Sequence, residues 1–66
     1  MTMREARMKA GLTLAGLAEA VGVSAAAIQR YEHGIRTPNV SIAKRIGEVL
    51  GIPWYELMDN KRVVEP

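Results

Sequence analysis

The chain has 66 residues, 48% of them hydrophobic and 24% charged, with a net charge of +2. It can form one small domain, whose single core supplies only about 3–5 kcal/mol. No cysteine and a single histidine, His33, are present, so disulfides and thiolate metal sites are excluded and zinc has too few ligands.

No apolar run approaches the roughly 18 residues of a membrane span, and Arg4 and Arg7 precede no apolar signal region. The expectation is a cytoplasmic protein that needs no membrane, metal or cofactor. Charge is unevenly spread. Residues 1–47 carry seven basic groups against Glu5, Glu19 and Glu32, a balance of +4, whereas residues 48–66 carry Lys61 and Arg62 against four acids, a balance of −2. A basic front and an acidic rear suit a polyanion on one side.

Helix starts and stops follow one another along the chain. Thr2 can cap a helix over 3–10 that stops at Gly11. Thr13 can cap 14–20, stopping at Gly22, and Ser24 can cap 25–33, stopping at Gly34. Asn39, after the breaker Pro38, can cap 40–50 before Gly51, and Pro53 fits the first turn of a last helix over 53–58. No segment alternates with period 2. The fold class predicted is therefore all-α with five helices, forming one domain over 1–58 and a C-terminal tail over 59–66.

Apolar spacing proposes the core. Met3, Ala6 and Ala10 share a face of the first helix, and Leu17, Ala18 and Val21 share one of the second. Ile28 and Tyr31 do so on the third, and Ala43, Ile46, Gly47 and Leu50 on the fourth. Leu12, Val23 and Ile52 flank glycine turns and would plug the core there, and Leu57 closes the last helix. Gly16 and Gly47 lie inside helices, each at about 1 kcal/mol against alanine. Gly47 is expected to allow a close helix approach; nothing in the sequence accounts for Gly16.

Two short helices joined by Val21-Gly22-Val23-Ser24 have the form of a helix-turn-helix. On the third helix Ile28, Tyr31 and Glu32 fall on one face, and Ala25, Ala26, Gln29, Arg30 and His33 on the other. From about Arg4 to Leu57 the chain resembles the Cro/repressor-type helix-turn-helix family, the class of lambdoid phage repressors and xenobiotic-response-element regulators. The resemblance rests on Arg7, Gly11-Leu12-Thr13, Leu17-Ala18, Val21-Gly22-Val23-Ser24, Ile28, Tyr31-Glu32-His33-Gly34, Arg36-Thr37-Pro38 and Leu50-Gly51-Ile52. It implies a lambda-repressor-like domain that binds operator DNA, usually as a homodimer. It also implies a structural salt bridge between Arg7 and Glu32.

In such a domain the outward face of the third helix enters the major groove. Gln29 prefers adenine and Arg30 guanine, while Ala25 and Ala26 can meet only a thymine methyl. Thr13 and Ser24, at helix N-termini, together with Arg36, Thr37 and Asn39, are the expected backbone contacts. Lys44 and Arg45 read more simply as a solvated face. Trp54 and Tyr55 are candidates for the dimer interface, because aromatic residues anchor interfaces; the alternative for Trp54 is that it covers the small core of the monomer.

The chain departs from the family pattern twice. Similar proteins often place Gln where Leu14 stands, and Leu14 cannot hydrogen-bond a phosphate; it either packs toward the first helix or opens an apolar face. The second departure is Ala25-Ala26-Ala27 at the reading end. The leading reading is a sequence-specific transcriptional regulator, a repressor of prophage or mobile-element type, dimeric on a palindromic operator and with no small-molecule substrate. The alternative is a protein-interaction module, antitoxin or antirepressor-like, that keeps the fold with little DNA binding. An enzyme is not expected, since no nucleophile–base spacing or phosphate-binding glycine loop is present.

Overall fold

A computed structural model describes residues 2–58; the tail expected over 59–66 lies outside them. The helices are α1 Met3–Lys9, α2 Leu14–Val21, α3 Ala25–Glu32, α4 Val40–Leu50 and α5 Tyr55–Met58. The described residues include no strand.

Local chemistry sets the starts. Each of the first four helices begins after a residue with extended backbone whose side-chain oxygen takes a free helix N–H. Glu5 donates to Thr2, Gly16 to Thr13, Ala27 to Ser24 and Ile42 to Asn39, at 2.8–3.1 Å. At α1 the cap is reciprocal, because the Glu5 carboxylate accepts the Thr2 N–H at 2.9 Å. That backbone bond, with a second from the Thr2 hydroxyl, holds the Glu5 carboxyl below its ordinary value.

The last helix starts two residues later than expected. Its opening turn is made by Glu56 and Leu57 donating to the carbonyls of Pro53 and Trp54, so Pro53 leads into the helix rather than lying within it. Gly22 ends α2 with φ +89°, a left-handed conformation that a side chain would strain. It turns the chain within two residues into the Ser24 cap of α3.

The core is small and aliphatic. Leu17, Ile28, Ala43 and Ile46 are fully buried, with Val21, Ala6 and Ala18 almost so. Half-buried Met3, Leu12, Val23, Tyr31, Leu50 and Leu57 pack around it, whereas Ala10 is exposed. Helix α2 is central: it packs on both α3 and α4, and α5 packs on α4. Leu14 packs against the core cluster too, which resolves its departure from the family pattern in favour of packing.

The two helical glycines have different reasons. A Cβ at Gly16 would sit 3.2 Å from the Thr13 hydroxyl that caps the same helix, so glycine keeps that cap uncrowded. A Cβ at Gly47 would meet the Ile52 carbonyl oxygen at 2.8 Å and the Trp54 backbone at 3.2 Å. Gly47 thus lets the chain entering α5 lie directly against α4. Gly47→Ala gains about 1 kcal/mol of helix propensity but drives a methyl into backbone, which typically costs about 1–3 kcal/mol. The expected outcome is a net loss of stability in urea unfolding and a displaced α5; a variant at least as stable as the parent would contradict this packing.

Candidate nucleic-acid interface

Helix α3 is held by one face and offers the other. Ile28 is fully buried, Tyr31 is half-buried, and Glu32 anchors the end. Ala26, Gln29, Arg30 and His33 are exposed on the opposite side. Ala25 differs from expectation: it is half-buried against the core, because it follows the Ser24 cap where α3 leaves the α2 turn. The outward face therefore narrows to Ala26, Gln29, Arg30 and His33.

The anchor is the pair expected between Arg7 and Glu32. Arg7 Nε donates to Glu32 Oε2 at 2.6 Å and Nη2 to Oε1 at 3.3 Å. The third arm, Nη1, donates to the Leu12 carbonyl at 2.9 Å. Both side chains are withdrawn from water, at 11% and 5% exposure. A planar guanidinium suits this arrangement, since it gripes one carboxylate with two donors and keeps a third for a backbone oxygen. Arg7 ties α1, the α1–α2 turn and the end of α3 to one point, and it is not available to a phosphate.

The loop beyond α3 carries the expected backbone contacts. Arg36, Thr37 and Asn39 are exposed, while Pro38 between them is buried and fixes the loop to the body. Asn39 uses Oδ1 on its own helix, at Ile42, which leaves its NH2 free to donate outward. Thr13 and Ser24 likewise accept through oxygen at their caps, and each hydroxyl retains a proton to donate. These five residues lie on exposed positions at three helix starts and one loop.

Two basic residues have roles that spacing did not reveal. Arg45 Nη1 donates to the Val21 carbonyl at 3.3 Å, satisfying a free carbonyl at the end of α2. Lys44 Nζ lies 5.5 Å from the centre of the Trp54 ring, a cation–π distance. Trp54 and Tyr55 meet edge to face at 6.0 Å. Trp54 is half-buried against α4, and Tyr55 remains 62% exposed.

A capped helix pair turning at a left-handed glycine, with the second helix anchored behind and polar in front, defines a helix-turn-helix protein. The helix-turn-helix family HTH_3 matches residues 3–57, and the chain belongs to that family, with its all-α, lambda-repressor-like fold. Proteins of Methanocaldococcus jannaschii and Pyrococcus furiosus named as HTH-type transcriptional regulatory proteins are each 37% identical to it over 57 residues, 86% of this chain. The chain spans only 18% of the length of either. An uncharacterized HTH-type transcriptional regulator of Bacillus subtilis, YqaF, is 35% identical over 79% of this chain and 68% of its own length. No solved structure matches. No helix among the described residues is long and apolar enough to cross a membrane.

Removing one member of the Arg7–Glu32 pair strands a buried charge, at about 3–5 kcal/mol, as much as a core of this size supplies. Arg7→Met is therefore expected to be largely unfolded by circular dichroism at room temperature. Pairing it with Glu32→Leu should restore most of the helical signal, because no charge is then stranded. A folded single variant would contradict the structural role of the pair.

Proposed function

We propose that this protein is a sequence-specific operator-binding repressor that acts as a homodimer on a palindromic site. The observation that carries the reading is the outward face of α3. Gln29 and Arg30 stand exposed on a helix whose opposite face is locked, and the loop that follows presents Arg36, Thr37 and Asn39. Each bidentate base contact contributes about 1–3 kcal/mol of discrimination. With Gln29 and Arg30 as the polar readers, dimer symmetry and DNA shape supply the rest of the specificity.

The mechanism is occlusion: two reading helices in successive major grooves, about 34 Å apart, cover a promoter. The prophage or mobile-element setting rests on the resemblance to phage repressors, and the cytoplasmic location on a sequence without an apolar run of membrane-spanning length. The alternative of a protein-interaction module drew on Leu14 as part of an apolar docking face, and Leu14 is packed on the core.

Binding to duplex DNA should weaken steeply with salt. For about three to four phosphates per protomer, a dimer should give a slope of log K against log salt of roughly −5 to −7. Arg30→Ala should leave that slope nearly unchanged and reduce the preference for a selected operator over random duplex by about tenfold. Parent protein that binds both duplexes equally, or whose complexes ignore salt, would refute the reading.

Dimerisation is assigned to the α4–α5 seam. Trp54 is already engaged by Lys44 and by the close approach at Gly47, so exposed Tyr55 is the residue left to reach a partner. Tyr55→Ala is expected to shift sedimentation on operator DNA from two protomers per site toward one, with the melting temperature unchanged. Retained two-protomer complexes would remove Tyr55 from the interface.

A further inference from the structure

Ile35 is the most exposed large hydrophobic residue among those described, at 73%. A single exposed aliphatic is ordinary on a protein surface; its placement carries the argument here. Helix α3 closes in a left-handed turn at Gly34, φ +74°. Gly34 donates to the Tyr31 carbonyl at 3.2 Å, and Ile35 donates to the Arg30 carbonyl at 3.0 Å. In this type of helix end the residue after the glycine commonly folds an apolar side chain back onto the helix. Ile35 leaves its side chain in water instead.

Its backbone is nevertheless fixed. The amides of both Ile35 and Arg36 donate to the carbonyl of Arg30, the residue that carries the guanidinium of the reading face. Ile35 is thus held at a set position relative to Arg30 on one side and next to Arg36 on the other. The surroundings state what can cover it. Between Ala20 and Gly47 the sequence has one carboxylate, Glu32, and Arg7 neutralises it. Exposed Arg30 and Arg36 flank Ile35 in sequence. A second copy docked symmetrically here would bring the same cations against one another. Duplex DNA offers what this surface fits: phosphates for the cations, and apolar carbon on sugars and thymine methyls for the isoleucine.

We propose that Ile35 is a DNA-contacting residue, packing its side chain on apolar carbon of the duplex beside the groove that Arg30 reads. The proposal rests on the operator-binding reading above and adds to it an uncharged contact outside α3. The contact surface is either a deoxyribose or a thymine methyl, and the two sources are separable by experiment.

The test uses a duplex enriched by the parent protein from a random pool. Ile35→Ser is expected to bind it about tenfold more weakly, from the apolar area left in water. The salt slope should stay at the parent value, because no charge is lost, whereas Arg36→Ala should make it shallower by about one contact. The melting temperature should not change. Replacing thymine by deoxyuracil throughout the duplex assigns the source: parent and variant converge if a methyl is the partner, and keep their difference if a sugar is.

Equal binding by parent and Ile35→Ser overturns the proposal and leaves the operator-binding reading standing. Parent protein that enriches no sequence and binds duplex without salt dependence overturns both. A lowered melting temperature in both Ile35→Ser and the β-branched Ile35→Thr would assign the residue to the fold and overturn the proposal too.

Discussion

One buried ion pair holds the geometry on which everything else depends. Arg7 joins three pieces of chain: α1, the turn before α2, and, 25 residues away, the last residue of α3. The aliphatic core alone would allow α3 to rotate or fray, since it grips that helix mainly through Ile28. The two-pronged contact with Glu32 adds direction to that grip. Apolar contact is nearly indifferent to angle, whereas a fork of N–H groups on a carboxylate is not. A helix that must present particular side chains outward needs the second kind of restraint.

The same economy governs the other cations. Positive charge in residues 1–47 suggests a broadly electrostatic hold on DNA, but part of it serves the fold. Arg7 is consumed by Glu32, Arg45 by the end of α2, and Lys44 by the Trp54 ring. In the proposed complex the charge available to phosphate is that of the cations the fold leaves unused, and the donors at helix starts and in the loop after α3 set the position of the duplex. Thr13, Ser24 and Asn39 each spend an acceptor on their own helix and keep a donor for a partner.

Features written in a few consecutive residues were legible in the sequence. Thr2, Thr13, Ser24 and Asn39 are caps, as their short polar side chains before apolar runs suggest. The core of Leu17, Val21, Ile28 and Ile46 follows from helical spacing, and the Arg7–Glu32 pair from the family resemblance. What stayed hidden depends on tertiary neighbours. Arg45 bonds a carbonyl 24 residues away, and periodicity on α4 makes it look merely solvated. Ala25 belongs to the exposed side by angle alone, yet it packs against the buried cluster. Gly16 is explained only by the nearness of the Thr13 hydroxyl. Sequence alone leaves Leu14 open, because an apolar residue at a helix start is compatible with either side. The start of α5 was misplaced because Pro53 fits a helix's first turn and the residue before it equally well.

The division of α3 into a locked face and a free one has a consequence for how such a protein can change over generations. Residues 28, 31 and 32 carry the fold, and residues 26, 29 and 30 carry the surface it shows. Substitutions on the second set scarcely touch the marginal stability of so small a domain. If that surface reads DNA as proposed, target preference is free to drift along a path of fully folded intermediates, and the short side chain of Ala26 leaves room for larger readers to be tried without rebuilding the scaffold beneath.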